Sequence, residues 1–314
     1  MLLKPIMMNP MIDLIIYRVY KRTLLLSLLM TGLVPEAFTQ SAADSTKPVE
    51  VDIIKVGYAQ SLNADSGKSQ YDAYVSLLLP IPINDNFVLI TGVSYNNLTT
   101  KVFGSAAQFY KLTIPLGFKA NLSELNTITV VALNRVTKNI QPNLAAKYQS
   151  GGIFIYTRKV SERFKYNIGL YYNTEESGAF FIPVIGTKWN PTDKWEVKGN
   201  MPINLRISYA PVKPLKIGVS YVGKYESYDL GNTYMVINRN EFAFFVETAT
   251  FKNLIVQAGL AYNLSNTSKV YLSSDRVEAS IIGFHLNDSR NIISNTQLSN
   301  TFFLDLKLIY RIFK

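Results

Sequence analysis

Residues 164–172 read Phe164-Lys165-Tyr166-Asn167-Ile168-Gly169-Leu170-Tyr171-Tyr172. Bulky apolar residues hold every second position, and aromatic rings stand at both ends of the series. Alternation at period two puts Phe164, Tyr166, Ile168, Leu170 and Tyr172 on one face of a β-strand. Phe87 with Tyr95, Tyr110 with Phe118 and Phe302 with Tyr310 repeat the same even spacing. At ~3.3 Å per residue such a pair spans roughly 26 Å of strand. Tilted by roughly 40°, it projects to about 20 Å, close to the apolar band between the aromatic girdles of an outer-membrane barrel. The expected fold is all-β: a transmembrane antiparallel up-and-down β-barrel.

The period extends outward from these segments. Leu215, Ile217, Val219 and Tyr221 alternate with Lys216, Gly218, Ser220 and Val222, and Leu254 to Tyr262 behaves alike. Strands are expected near 51–61, 70–80, 87–99, 108–119, 126–137, 150–160, 163–174, 179–189, 194–199, 202–210, 214–227, 239–250, 253–264 and 300–313. That is about fourteen, an even number as single-chain bacterial barrels require. Merging 194–199 with a neighbour would give twelve. Tight connectors such as Asn84-Asp85-Asn86 alternate with longer polar ones at 62–69, 100–107, 138–149, 228–238 and 265–299. Short turns at one end and long loops at the other mark such barrels. The loop 265–299 carries an apolar stretch from Val277 to Phe284. Two readings stay open for it: a constriction folded into the barrel, or an extension of the wall.

The chain divides into a leader over 1–43 and a barrel domain over 44–314. Lys21-Arg22, the apolar run Leu24 to Val34 and small residues to Ala43 read as a secretory signal peptide, cleaved after Thr39 or Ala43. A start at Met8 or Met11 would give the leader an ordinary length. Charged residues make up 17% of the chain, well under the roughly 25% of soluble domains, which again favours a membrane protein. The net charge of +10 does not point to nucleic acid, because Lys and Arg alternate within strands instead of clustering. The absence of cysteine excludes disulfides, thiolate metal sites and a lipidated N-terminal Cys. A single histidine excludes His-based zinc sites, and neither metal nor cofactor is expected.

The aromatic ends of the apolar stripe assign that face to lipid. The opposite face repeats glycine at Gly57, Gly92, Gly117, Gly169, Gly218 and Gly259, positions suited to curvature and to an aromatic ring packed over the gap. It also carries Lys111, Lys119, Arg135, Arg158, Lys165, Lys198, Arg206, Lys216, Lys224, Lys307 and Arg311, against Asp72, Glu196, Glu226, Glu241, Glu247 and Asp305. A surplus of cations inside a pore selects anions. Cross-strand pairing with the acids would instead neutralise them.

The end of the chain, Leu304-Asp305-Leu306-Lys307-Leu308-Ile309-Tyr310-Arg311-Ile312-Phe313-Lys314, resembles the last strand of an outer-membrane barrel, which carries an alternating assembly signal ending on an aromatic. Phe313 is off that register and Lys314 follows it. Trp195-Glu196-Val197 to Met201-Pro202, then Tyr209-Ala210-Pro211, resembles a family of uncharacterised bacterial outer-membrane barrels. The resemblance implies the fold and the outer membrane, with outer-membrane lipid, lipopolysaccharide and the barrel-assembly machinery as partners. It implies no substrate. Fourteen strands also resemble the fatty-acid channels, but about ten residues before the first strand leave no room for their N-terminal hatch. Outer-membrane lipases use a His-Ser pair at the rim. Here His285 lies in a loop with Asn287, Asp288 and Ser289 behind it, and no catalytic residue is assigned. Phosphate-binding loops and dinucleotide fingerprints are absent. The expected function is a pore or transporter for a small, anionic solute. The alternative is a structural or surface-interaction barrel using loops 228–238 and 265–299, and a rim enzyme ranks third.

Overall fold

The computed structural model describes residues 50–62, 70–140, 143–282, 284–286, 288–297 and 300–313. The leader and its cleavage point lie outside them. The strands are β1 (Glu50–Ser61), β2 (Tyr71–Asn84), β3 (Phe87–Val102), β4 (Ser105–Asn121), β5 (Asn126–Asn139), β6 (Lys147–Ser161), β7 (Phe164–Glu175) and β8 (Gly178–Trp189). They continue as β9 (Trp195–Met201), β10 (Asn204–Val212), β11 (Leu215–Asp229), β12 (Thr233–Ala249) and β13 (Leu254–Leu272). Three short pieces follow, β14 (Ala279–Ile281), β15 (Phe284–His285) and β16 (Ser294–Gln297), and β17 (Thr301–Phe313) ends the series.

Neighbours from β1 to β13 pair in sequence order, and β17 pairs with both β13 and β1. Leu254 faces Tyr310 on one side of β17, and Val56 faces Leu308 on the other. A ring of fourteen antiparallel strands is therefore closed, each paired on both sides over at least part of its length. β9 is a separate strand, paired with β8 and β10.

Alternation fixes the faces. Val75, Leu116, Ile168, Ile185, Val219, Phe244 and Leu304 point outward and are exposed. An apolar surface encircling the whole wall far exceeds the patches that soluble monomers tolerate. Rings border it at both ends. At the end with the short turns, Phe87 stacks on Phe118 at 5.2 Å and Trp195 meets Tyr209 at 5.0 Å. At the other end, Tyr95–Tyr110, Tyr172–Phe181, Tyr221–Phe242 and Tyr262–Phe302 pair at 5.7, 4.9, 5.0 and 4.9 Å. These two girdles bound a lipid-facing band, as the spacing predicts.

Two connectors differ from the sequence reading. The strands run on past the outer girdle, so 100–107 shrinks to a turn at Phe103-Gly104, both with positive φ, and 228–238 shrinks to 230–232. Polar residues there made the segments look like loops, yet their backbones are paired. The loop 265–299 also resolves into structure. Residues up to Leu272 extend β13, β16 pairs with that extension, and β14 pairs in parallel with β8 at Ala179 to Phe181.

Two of the inward glycines, Gly57 and Gly218, receive rings, while Gly92, Gly117, Gly169 and Gly259 are approached first by neighbouring carbonyls. A Cβ on Gly57 would lie 2.2 Å from the Tyr74 ring, and one on Gly218 would lie 2.8 Å from Phe245 Cζ. Gly57→Val should displace Tyr74 and destabilise the barrel by ~1–3 kcal/mol through overpacking. Urea midpoints of refolded protein check this, and an unchanged midpoint would refute the ring-over-glycine contact.

Candidate functional site

The interior is layered. At the long-loop end, β9 and β10 stop at a turn around 202–203 and leave the upper part of β8 and of β11 without a wall neighbour. The upper half of β11 uses that freedom to curl inside the barrel. Tyr225, on its outer face, stacks at 4.1 Å on Phe180 of β8. The main-chain carbonyl of Ser227 accepts from Gln149 at 3.3 Å, and its N–H and hydroxyl donate to Glu175 at 2.9 and 2.6 Å. Asn173 also donates to Glu175, and Arg135 lies 3.8 Å from it. Glu175 sits above the outer girdle at the β7–β8 turn. Burial raises its carboxyl above the usual range, opposed by Arg135 and by these hydrogen bonds.

The inner face of the curled strand completes an apolar plug. Leu98, Val102, Phe109, Tyr228, Met235, Ile237 and Val270 form one buried cluster, with Phe109 and Tyr228 rings 4.6 Å apart. The outer mouth is thus closed by β11 and β12 packing on β3, β4 and β13. The segment 265–299 extends the wall and gives Val270 to this cluster, and its strand β14 pairs with the upper part of β8; the rest of the plug comes from β3, β4, β11 and β12.

Below the plug, the charged residues singled out in the sequence point inward and most are paired. Lys111 binds Glu226. Asp72 accepts from Lys224 at 2.9 Å, from Arg239 at 3.0 Å and from Asn96. Lys307 lies 2.5 Å from Asp305. Glu241 shares this face beside Arg239 and makes no ion pair among the described residues. Nearer the short turns, Arg206 reaches Glu247 at 2.5 Å and Gln257 at 2.8 Å, with its guanidinium 3.6 Å over the Phe245 ring. Arg311 bridges Glu247 at 2.7 Å, Asp52 at 2.5 Å and Glu50 at 3.2 Å. Lys216 reaches Glu50 at 2.7 Å, and Lys198 reaches Glu196 at 2.9 Å. Pairing of this kind removes most of the cationic surplus from this side of the interior.

Lys165 is different. It faces Lys188 directly across β7 and β8, and Lys119 is near enough to repel both. None of the three has an ion-pair partner among the described residues. Arg158 corrects the sequence reading, because it lies on the outward face opposite Tyr166 and donates to Asn126 at 2.9 Å. Glu50 and Asp52 escaped that reading for a physical reason. A β-bulge between Asp52 and Ile54 shifts the register, so Asp52 turns inward although simple alternation puts it with Ile54. Lys188 was within reach, since alternation from Ile185 and Trp189 already turns it inward.

At the rim, His285 Nδ1 lies 2.7 Å from Ser280 Oγ, a cross-strand pair of β14 and β15. Ser280 is buried, and Asp288 is held at both oxygens by Arg290 at 2.9 and 3.0 Å. The hydrogen bonds from Arg290 lower the Asp288 carboxyl to about 2. The acid nearest in sequence is therefore committed elsewhere, and the Ser-His contact pins a turn.

Residues 133–246 match the family described as a domain of unknown function, DUF6268. The matched segment runs from β5 to β12 and contains the Trp195 to Pro211 stretch that carries the resemblance. No curated protein matches the sequence. Among solved structures, the chain is similar to the NanC porin, at 10% identity and a TM-score of 0.39, over 82% of this chain and 98% of that one. It is similar to an outer membrane channel from Pseudomonas putida F1 at 8% identity and a TM-score of 0.40, over 90% and 100%. A third is the CymD monoaromatic hydrocarbon channel, at 10% identity and a TM-score of 0.37, over 84% and 89%.

Proposed function

We propose that this chain is a bacterial outer-membrane channel for small anionic solutes, closed at its outer mouth in the conformation described. The observation that carries the reading is the contrast between a wall whose outer face exposes apolar side chains all round and an interior with three lysines that have no ion-pair partner among the described residues. Short turns would face the periplasm and the extended strands the lipopolysaccharide leaflet. The signal peptide would direct export, and the terminal strand would engage the assembly machinery. A second reading, a non-conducting structural barrel, is favoured by the packed mouth.

Planar-bilayer recordings separate the two. Wild-type protein should show low, anion-preferring conductance. Hollowing the plug with Phe109→Ala, Tyr228→Ala and Met235→Ala together should raise conductance several-fold while keeping the preference for anions. Silence in both proteins would sink the channel and leave the structural barrel.

A further inference from the structure

Inward cations elsewhere on the wall have a carboxylate within reach. Lys55, Lys111, Arg135, Lys147, Lys159, Lys198, Arg206, Lys216, Lys224, Arg239, Lys307 and Arg311 all do. Among the described residues the exceptions are Lys119 on β4, Lys165 on β7 and Lys188 on β8, and they are neighbours. Lys165 and Lys188 occupy directly opposed positions, an arrangement that is destabilising unless something neutralises it. Lys119 is open to solvent, so the group is reachable from the short-turn end.

A cavity of about 440 Å³ opens beside them. Its walls include Lys119 and Lys165, with Asn121, Thr127 and Thr157 as further polar groups. Two carboxylates are close. Glu162 is taken by Lys159, and Glu124 lines the cavity from the β4–β5 turn. Against Glu124 at the rim, Lys119 and Lys165 in the walls and Lys188 opposite Lys165 leave a positive focus beside a concave, partly enclosed space, where field lines concentrate. The amides and hydroxyls already bond one another, Thr127 to Asn121 at 3.1 Å and Thr157 to Asn167 at 2.9 Å. That holds them in place and leaves the lysines as the groups awaiting a partner.

We propose that Lys119, Lys165 and Lys188 form an oxyanion-binding site at the short-turn end, taking a multiply charged small anion that bears phosphate or carboxylate groups. It deepens the channel reading, because such a site would be the solute's station on the periplasmic side. Its existence can be tested without any transport.

Mature full-length protein is refolded in detergent, and inorganic phosphate and succinate are each titrated calorimetrically at low salt. Saturable binding of one or both is expected, weakening as sodium chloride rises because the charges are screened. Lys165→Gln with Lys188→Gln should weaken it on the order of tenfold or more, whereas Lys101→Gln, near the opposite end of the barrel beside the β3–β4 turn, should leave it unchanged. A gel shift between unboiled and boiled samples confirms that each variant is folded. Preference for phosphate over succinate, or the reverse, names the class of solute. No saturable binding of either anion, or equal binding by the double variant, would overturn the site. Binding without conductance would keep the site and remove the channel.

Discussion

Asp72→Ala should destabilise the barrel by about 3–5 kcal/mol, the usual cost of leaving buried charge without its partner. Asp72 is 5% exposed and accepts from Lys224, Arg239 and Asn96. Lys224 and Arg239 are directly opposed on β11 and β12, so removing the carboxylate leaves two adjacent cations facing each other inside the wall. Of the other acids that act on Arg239, Glu226 is already bound to Lys111, which leaves Glu241. Urea unfolding of the refolded protein, followed by tryptophan fluorescence, measures the effect. Should Asp72→Ala fail to fold, Asp72→Asn combined with Arg239→Gln removes charge of both signs and should recover much of the loss. A penalty under about 1 kcal/mol for the single variant would show that the pair is solvated and not a structural tie.

The second large effect concerns lipid. Arg placed at Ile168 or Ile114 should cost ~2–4 kcal/mol, because both point outward between the girdles, where a guanidinium meets hydrocarbon. Tyr148→Arg is the matched control. Tyr148 is on the same outward face of the neighbouring wall and 64% exposed, but it lies at the outer girdle, on the rung that runs through Val136 and Leu112 to Tyr95. There the expected cost is only ~0–1 kcal/mol. Unfolding in lipid vesicles reads both. Equal, small penalties at all three positions would mean that the exposed apolar face meets water, and the membrane reading would fall.

Period-two alternation and the even spacing of aromatic pairs determined by themselves the barrel, the outward face and the girdles, but left twelve or fourteen strands open until β9 proved a separate strand. Side-chain direction in a strand is local, so Phe164 to Tyr172 carries its own orientation wherever the strand ends up. The family of Lys and Arg on the inward face was legible for the same reason. Tertiary structure alone decided which of them are neutralised. Arg311 meets Glu247 and Asp52 because β17 closes the ring between β13 and β1, a contact between residues far apart in the chain. The bulge at Asp52 reversed a face that alternation assigned otherwise. Closure of the mouth was invisible in the sequence. It follows from β9 and β10 being short, which lets β11 leave the wall and bury Tyr228 against Phe109. Strand direction is set residue by residue, whereas a plug or an ion pair needs partners that only the closed ring brings together.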